Sequence, residues 1–188
     1  MMNINTYLPK TLFFFFLLIG LALSSQGQTK ELGIRMTGLQ NFDFIYKKEK
    51  EPNKYSRIRL GVANISFANI ADENVGNLAL GIAMGSERRK AINEKLNFYR
   101  GPEPFANLAL SVVADNTIFV VQGGLGYVLG FQYNFSEVFY LSAETIPSVS
   151  LRFSSGENVD PSLGIFAGFN SNAVAITVAY RLLDNSKK

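Results

Sequence analysis

Cysteine and histidine are both absent from this 188-residue chain. Without cysteine the protein forms no disulfide and no thiolate metal site, and no lipid-modified N-terminal cysteine holds it by acyl chains. The absence of histidine excludes most general-base catalysis and most zinc chemistry. A serine–lysine pair stays open as a nucleophile, but no motif marks one. We therefore predict a non-enzymatic protein with no catalytic residue, no cofactor and no metal.

A strong excess of one charge is also missing. The chain has 18 Lys and Arg against 15 Asp and Glu, which gives a net charge of +3. The basic residues lie mainly between apolar runs, so a nucleic-acid surface is not predicted. We interpret the basic stretches KKEKEPNK and ERRK as solvated turns, and contact with lipid phosphates is the alternative. GGLGYVLG lacks the helix and the acidic partner of a nucleotide loop, so no such site is predicted.

A hydrophobic run long enough to span a membrane as a helix is absent as well. The run LFFFFLLIGLAL, residues 12–23, would reach about 18 Å as a helix, short of the ~30 Å hydrocarbon core. It follows the basic Lys10 and precedes the small residues SSQGQ, and these are the three parts of a secretory signal peptide. We predict a cleaved signal peptide over residues 1–27 and a single domain over residues 28–188.

The chain after residue 28 alternates with a period of two, which is typical of β-strands. In AVAITVAYRL, residues 173–182, the even positions are large and apolar and most odd positions are small. The same alternation recurs in ELGIRMTGLQNFDFIYKK, YSRIRLGV, NLALGIAMGSE, GGLGYVLGFQYNF and VFYLSAETIPSVSLRF. IADENVG, RRKAINEK and SSGENVDP are predicted to be turns or loops.

Two breaks in the alternation leave the strand count open. Pro102 and Pro104 interrupt residues 96–113, which predicts either a kinked edge strand or a turn between two strands. The phase also changes at Asn170–Asn172, which predicts either a bulged long strand or a final hairpin.

The two faces of these strands indicate which side meets water. One face is rich in Phe, Tyr and Leu, and the other holds Gly, Ala, Ser, Asn and isolated charges. A water-facing strand does not need so much glycine, whereas the inner side of a tightly curled sheet has little room. An apolar outer face and a small, polar inner face are typical of a transmembrane β-barrel. We predict an all-β, antiparallel, up-and-down transmembrane barrel of about eight strands, with ten strands less favoured.

Three stretches also resemble a known family. FDFIYKK, LGYVLGFQYNFSEVFYLSAETIPS and FNSNAVAITVAYRL are similar to the small outer-membrane β-barrel ("porin family") proteins of Bacteroidota. The resemblance implies an outer-membrane location and assembly by the barrel-insertion machinery. It also implies that the last aromatic–apolar strand, with Tyr180 and Leu182, acts as the assembly signal. It implies no ligand and no catalytic residue.

Nine charged residues fall on the small face, and we predict that they form a charge network inside the barrel. Eight strands leave little lumen and an unpaired buried charge is unfavourable, so a network that neutralises itself is favoured. A charged path for solutes or ions is the alternative. The predicted members are Arg35, Asp43, Arg57, Arg59, Glu87, Glu103, Glu144, Arg152 and Arg181, with Glu103 included if residues 96–113 form one strand.

The function predicted from these observations is that of a monomeric integral outer-membrane barrel with a structural or surface-interaction role. Its predicted partners are outer-membrane lipid and, during biogenesis, the barrel-assembly machinery. The first alternative is a narrow porin-like passive channel for small solutes. The second is a soluble exported, lipocalin-like barrel that binds an apolar ligand, in which the large face would point inward.

Overall fold

A computed structural model describes residues 29–37, 41–70, 73–113, 116–157, 159–169 and 174–182, and for residues 62–70, 73–75 and 113 it describes the backbone only. All regular structure in these ranges is β-strand. The strands are β1 (Lys30–Met36), β2 (Phe42–Glu51), β3 (Lys54–Ile70), β4 (Glu73–Ala91), β5 (Leu96–Val113), β6 (Asn116–Asn134), β7 (Phe139–Thr145), β8 (Ser148–Gly156), β9 (Val159–Gly168) and β10 (Ala175–Leu182).

Eight of these strands form a closed antiparallel ring. Its order is β1, β2, β3, β4, β5, β6, β7 and β10, and β10 pairs back with β1 from Lys30↔Leu182 to Met36↔Ile176. We call the end where Lys30 and Leu182 pair the terminal end, and the opposite end the far end. The prediction of an up-and-down barrel of about eight strands is therefore confirmed.

The two additional strands, β8 and β9, extend the wall toward the far end. Strand β6 pairs with β7 through its second half and with β8 through its first half, in one continuous register. Strands β7 and β8 thus follow one path, interrupted at Ile146 and Pro147, where proline lacks the donor that a ladder needs. The Tyr127 amide still donates to the Pro147 carbonyl at 2.9 Å. Strand β9 pairs with β8.

The large apolar side chains face outward, as the alternation predicts. Ile176 is 46% exposed and Leu80 is 42% exposed, while Thr177 and Ala83, which have the opposite parity on the same strands, are buried. Exposed Leu, Ile, Phe, Met and Tyr side chains recur along β1, β2, β4, β6 and β8. This arrangement is the reverse of a soluble protein and matches the outward apolar band of a membrane barrel.

Several connections are shorter than the sequence predicts, because polar, charged and small residues continue the strands. RRKAINEK is predicted as a loop, but residues 88–91 belong to β4 and only residues 92–95 connect it to β5. SSGENVDP is predicted as a long loop, but β8 runs to Gly156 and β9 begins at Val159. IADENVG is predicted as a turn, but only two residues separate β3 from β4. An inner face that accepts polar side chains lets a strand continue where hydrophobicity ends.

Residues 96–113 form one strand, but the prediction of an edge strand is wrong, because β5 pairs with β4 on one side and with β6 on the other. Strand β5 continues through Pro102 and Pro104, and both pair with β6 in an unbroken register. The basic stretch KKEKEPNK also proves to be mostly strand, with a two-residue turn at Pro52 and Asn53. Asn53 has a φ of 63°, a left-handed conformation that asparagine tolerates better than most residues.

Other expectations fall outside the described residues. The predicted signal peptide, residues 1–27, and the phase change at Asn170–Asn172 lie there, so both stay predictions. The described residues contain no helix that is long and apolar enough to span a membrane.

Candidate functional site: the lumenal ion-pair network

The centre of the ring is occupied by one arginine that three carboxylates surround. Arg57 on β3 is fully buried, and its guanidinium nitrogens lie 2.9 and 3.0 Å from the Glu144 oxygens. Its Nε lies 2.7 Å from Glu103 Oε2, close enough for an ion pair although the N–H is not aligned for a hydrogen bond. Glu87 Oε2 lies 3.4 Å from Arg57 Nη1. These contacts tie β3, β4, β5 and β7 together across the lumen.

A second layer of the network lies on the far-end side of Arg57. Asp43 Oδ2 accepts hydrogen bonds from Arg35 Nη1 at 2.9 Å and from Arg59 Nη1 at 2.8 Å. Arg35 also donates to Glu144 at 2.6 Å, and Arg59 donates to Glu103 at 2.9 Å. Arg59 and Asp43 are partly accessible, whereas Glu103 and Glu144 are not. Accessibility therefore rises from the central layer toward the far end.

A third layer closes the terminal end. Arg89 binds Glu31 with two hydrogen bonds of 2.8 and 2.6 Å, a bidentate geometry that fixes both side chains. Arg181 donates to the same carboxylate at 3.0 Å, and Tyr140 donates its hydroxyl proton to it at 2.7 Å. The Arg89 guanidinium also stacks on the Tyr55 ring, 3.6 Å from its centroid.

A lysine connects the terminal-end layer with the central one. Lys47 Nζ lies 3.0 Å from Glu87 Oε2, and Glu87 also binds Arg89 at 2.6 Å. The Lys47 ammonium lies 4.8 Å from the centroid of the Tyr99 ring, within the range of a cation–π contact. The lumen is thus one continuous network of charges and rings, in which each of these buried charges has an opposite partner.

The sum of charges in this network is close to neutral. Six cations (Arg35, Lys47, Arg57, Arg59, Arg89 and Arg181) face five carboxylates (Glu31, Asp43, Glu87, Glu103 and Glu144). Removing one partner of such a buried pair leaves an uncompensated charge and typically destabilises a protein by about 3–5 kcal/mol. We therefore expect the network to contribute strongly to the stability of the folded barrel.

All but one of the predicted site residues meet in this network. Arg35, Asp43, Arg57, Arg59, Glu87, Glu103, Glu144 and Arg181 all take part in the ion pairs described above. Arg152 does not, because it lies on β8, in the wall beyond the closed ring. It faces the wider part of the lumen, is exposed, and forms no ion pair with the residues that the structure describes.

Several further members of the network are not predicted by the sequence analysis. They are Glu31, Lys47, Tyr55, Arg89, Tyr99 and Tyr140. Parity could have found them, since each lies an even number of positions from a predicted member on its own strand. Lys47 and Arg89 are missed because their basic stretches are interpreted as turns. The tyrosines are missed because bulky aromatic residues are expected only on the outer face.

The lumenal tyrosine Tyr99 is accommodated by a glycine. Tyr99 is fully buried and donates its hydroxyl proton to Glu144 at 2.8 Å. Its ring lies against Gly130, its cross-strand partner on β6, where an added Cβ would overlap the ring atoms. Gly130 therefore provides the space that an aromatic side chain needs inside a narrow barrel.

Replacing Gly130 with alanine is expected to destabilise the barrel by about 1–3 kcal/mol, because the new methyl group forces Tyr99 out of position. The measurement is the urea midpoint of unfolding in lipid vesicles. Gly123→Ala on the same strand is the matched control, since a Cβ there meets only one atom, the Phe105 carbonyl oxygen at 3.9 Å. Equal midpoints for the two variants would contradict the close packing of Tyr99.

Above the network, toward the far end, the lumen widens into a cavity of about 500 Å³. The Arg35–Asp43–Arg59 layer forms part of its lining and separates it from the buried Arg57. Its other polar lining residues include Asn107, Gln122 and Arg152. The cavity is thus partly open on its far side and closed by ion pairs on the other. Within the described residues no group of three or more acidic side chains is placed to hold a metal ion.

Comparisons with known proteins agree with this architecture. No protein-family model matches the sequence, and no curated protein matches it. Among solved structures, the chain is similar to a major outer membrane protein from Thermus thermophilus, with a TM-score of 0.53 and 10% identity over 84% of this chain and 100% of that one. At this identity the likeness shows the fold alone.

Two further solved structures were found. They are the N-terminal β-barrel domain of Pseudomonas aeruginosa OprF (TM-score 0.45, 10% identity, 82% of this chain and 96% of that one) and the attachment invasion locus protein Ail of Yersinia pestis (TM-score 0.46, 12% identity, 84% and 100%). The closed ring and the Thermus protein together define the class: this chain has the fold of an outer-membrane β-barrel protein. The resemblance to Bacteroidota porin-family proteins stays a prediction.

Proposed function

We propose that this protein is a non-enzymatic, monomeric, integral outer-membrane β-barrel whose lumen is closed and whose far end serves a structural or surface-interaction role. One observation carries the proposal, the ion-pair network that fills the ring around Arg57. A solute path would need a continuous aqueous opening, and the buried carboxylates of Glu87, Glu103 and Glu144 occupy that space together with their cations.

The lengths of the strands support a role at the far end. Strands β4 and β6 each have 19 residues, whereas about 9–11 tilted residues cross the hydrocarbon core. The ring itself is complete only where β1 and β10 are present, next to the terminal end. The walls of β3–β6, β8 and β9 therefore extend beyond the closed ring on the far side, where their ends offer a surface to contact. In the proposed orientation the two chain termini lie on the periplasmic side, as in barrels with short periplasmic turns.

Two measurements on the full chain test the proposal. After membrane fractionation the protein is expected in the outer membrane, and it should migrate differently on a denaturing gel before and after boiling, because a closed barrel resists detergent. In planar lipid bilayers it should show no sustained single-channel conductance. Recovery in the soluble fraction without detergent would contradict the membrane location, and steady open channels would contradict the closed lumen.

The second candidate function is a narrow passive channel for small solutes, and the far-end cavity of about 500 Å³ favours it. The ion pairs between Arg35, Asp43 and Arg59 separate that cavity from the buried layer below, so a channel would require them to part. The lipocalin-like alternative needs an apolar interior, and it does not fit a lumen lined by six cations and five carboxylates.

A further inference from the structure

Three cations stand side by side on the outer wall near the terminal end. Lys54 on β3 is the direct register partner of Arg88 on β4, and Arg88 is the direct partner of Arg100 on β5. Directly opposed side chains on adjacent strands have Cβ atoms about 4.5–5.5 Å apart. We call these three residues the cationic row.

The cationic row points away from the lumen. In β4 the residues on either side of Arg88, Glu87 and Arg89, are buried in the ion-pair network, so Arg88 must face the opposite side of the strand. The same parity places Arg100 outside, next to the buried Tyr99. Both arginines are exposed.

The row also lacks enough negative charge to balance it. Glu51 forms an ion pair with Lys54, and its charge also attracts Arg88. The side chains of Arg88 and Arg100 form no ion pair or hydrogen bond of their own within the described part of the chain. Like charges directly opposite one another destabilise a sheet. An anion bound between the two guanidinium groups would remove that repulsion, and a phosphate can accept two parallel hydrogen bonds from each arginine.

Aromatic residues place the row at the boundary between lipid and water. Lys90, the next outward residue on β4, is the register partner of Phe98, and the Phe98 ring lies 5.4 Å from that of Phe131. Phe139 and Tyr180 pair with each other at the same end of the barrel. Aromatic girdles of this kind mark the headgroup level of a membrane barrel, which is where lipid phosphates lie.

We infer that the cationic row binds the phosphate groups of anionic phospholipids in the membrane leaflet at the terminal end. The inference rests on the proposed membrane function and adds a ligand class to one part of the wall. Lipid is favoured over a free anion because the row faces outward at headgroup height, where the phosphate of each neighbouring lipid is already in place.

The test uses the full chain in detergent micelles, with phosphatidylglycerol as the probe and phosphatidylcholine as the reference lipid. Retention of bound lipid is measured by native mass spectrometry. The unchanged protein is expected to retain phosphatidylglycerol in preference to phosphatidylcholine. The double variant Arg88→Gln/Arg100→Gln should lose about twenty- to thirty-fold in phosphatidylglycerol affinity, because the hydrogen bonds from each arginine to the phosphate contribute about fivefold.

A second double variant, Lys50→Gln/Lys95→Gln, is the control, because it removes the same charge from exposed positions at the same end but outside the row. It should retain most of the preference. An equal loss in both double variants, or equal binding of the two lipids by the unchanged protein, would overturn the inference. Displacement of phosphatidylglycerol by an equal concentration of inorganic phosphate would show a free-phosphate site and overturn the assignment to lipid.

Folding of each variant is checked by its mobility on a denaturing gel before and after boiling. Should the double variant fail to fold, Arg88→Gln and Arg100→Gln singly provide the comparison, each with an expected loss of about fivefold. A folded barrel without lipid preference contradicts this inference alone. A chain that shows no heat-dependent mobility contradicts the proposed membrane function instead.

Discussion

Replacing Glu144 with glutamine is expected to lower the free energy of unfolding by about 3–5 kcal/mol. Glu144 accepts hydrogen bonds from Arg35, Arg57 and Tyr99, and its side chain is inaccessible to solvent. The neutral amide keeps the size of the side chain but removes the negative charge that two buried arginines share. Their positive charge would then be only partly compensated, in a lumen where water cannot replace the lost partner.

The measurement is the urea midpoint of unfolding in lipid vesicles, followed by far-ultraviolet circular dichroism because the chain has no tryptophan. Glu137→Gln is the control, since Glu137 lies exposed in the connection between β6 and β7. Targeting to the membrane should be the same for both variants. If the midpoint of Glu144→Gln equals that of the unchanged protein, the network does not stabilise the fold.

Replacing Leu60 with arginine is expected to destabilise the barrel by about 2–4 kcal/mol, the range for a cation on the lipid face near the bilayer midplane. Leu60 is 47% exposed on β3, and its register partners are Phe44 and Ile82, which are also exposed and apolar. The surrounding band leaves the guanidinium no nearby carboxylate and forces it into hydrocarbon.

The matched control is Ile92→Arg. Ile92 is 54% exposed, similar to Leu60, but it lies in the connection between β4 and β5 at the terminal end, where an arginine can reach water. Its urea midpoint should stay close to that of the unchanged protein. If both substitutions destabilise equally, or if neither does, the apolar outer face is not the face that meets lipid.

The fold could be predicted because alternation is a property of single strands. Neighbouring positions such as Leu80 and Gly81 differ in size. That difference indicates which face of the strand lines the narrow interior and which face points outward. The limits of the strands could not be predicted from the same pattern. Arg88 and Arg89 end the apolar pattern, yet the strand continues through them, because the Arg88 side chain is exposed and the Arg89 side chain forms an ion pair with Glu31.

The partners within the network could not be predicted, although most of its charged members were. Arg35 binds Glu144, 109 positions away, because the ring brings β1 and β7 to opposite sides of β10. Two lumenal residues can pair only if they lie at the same height along the barrel axis. That height depends on the tilt and stagger of the strands, which are properties of the closed ring. The same dependence explains Arg152, whose parity is correct but whose strand lies beyond the ring.

The seam between β1 and β10 has a consequence for how the molecule is made. Among the described residues, β1 is the first strand and β10 the last, and they are neighbours. The contact that completes the ring is therefore also the one with the greatest separation along the chain. Such a contact is slow to form. Without β10, the facing edges of β1 and β7 stay unpaired, and each is able to recruit a strand from another molecule. A premature stop before residue 175 should therefore yield aggregates rather than a smaller barrel.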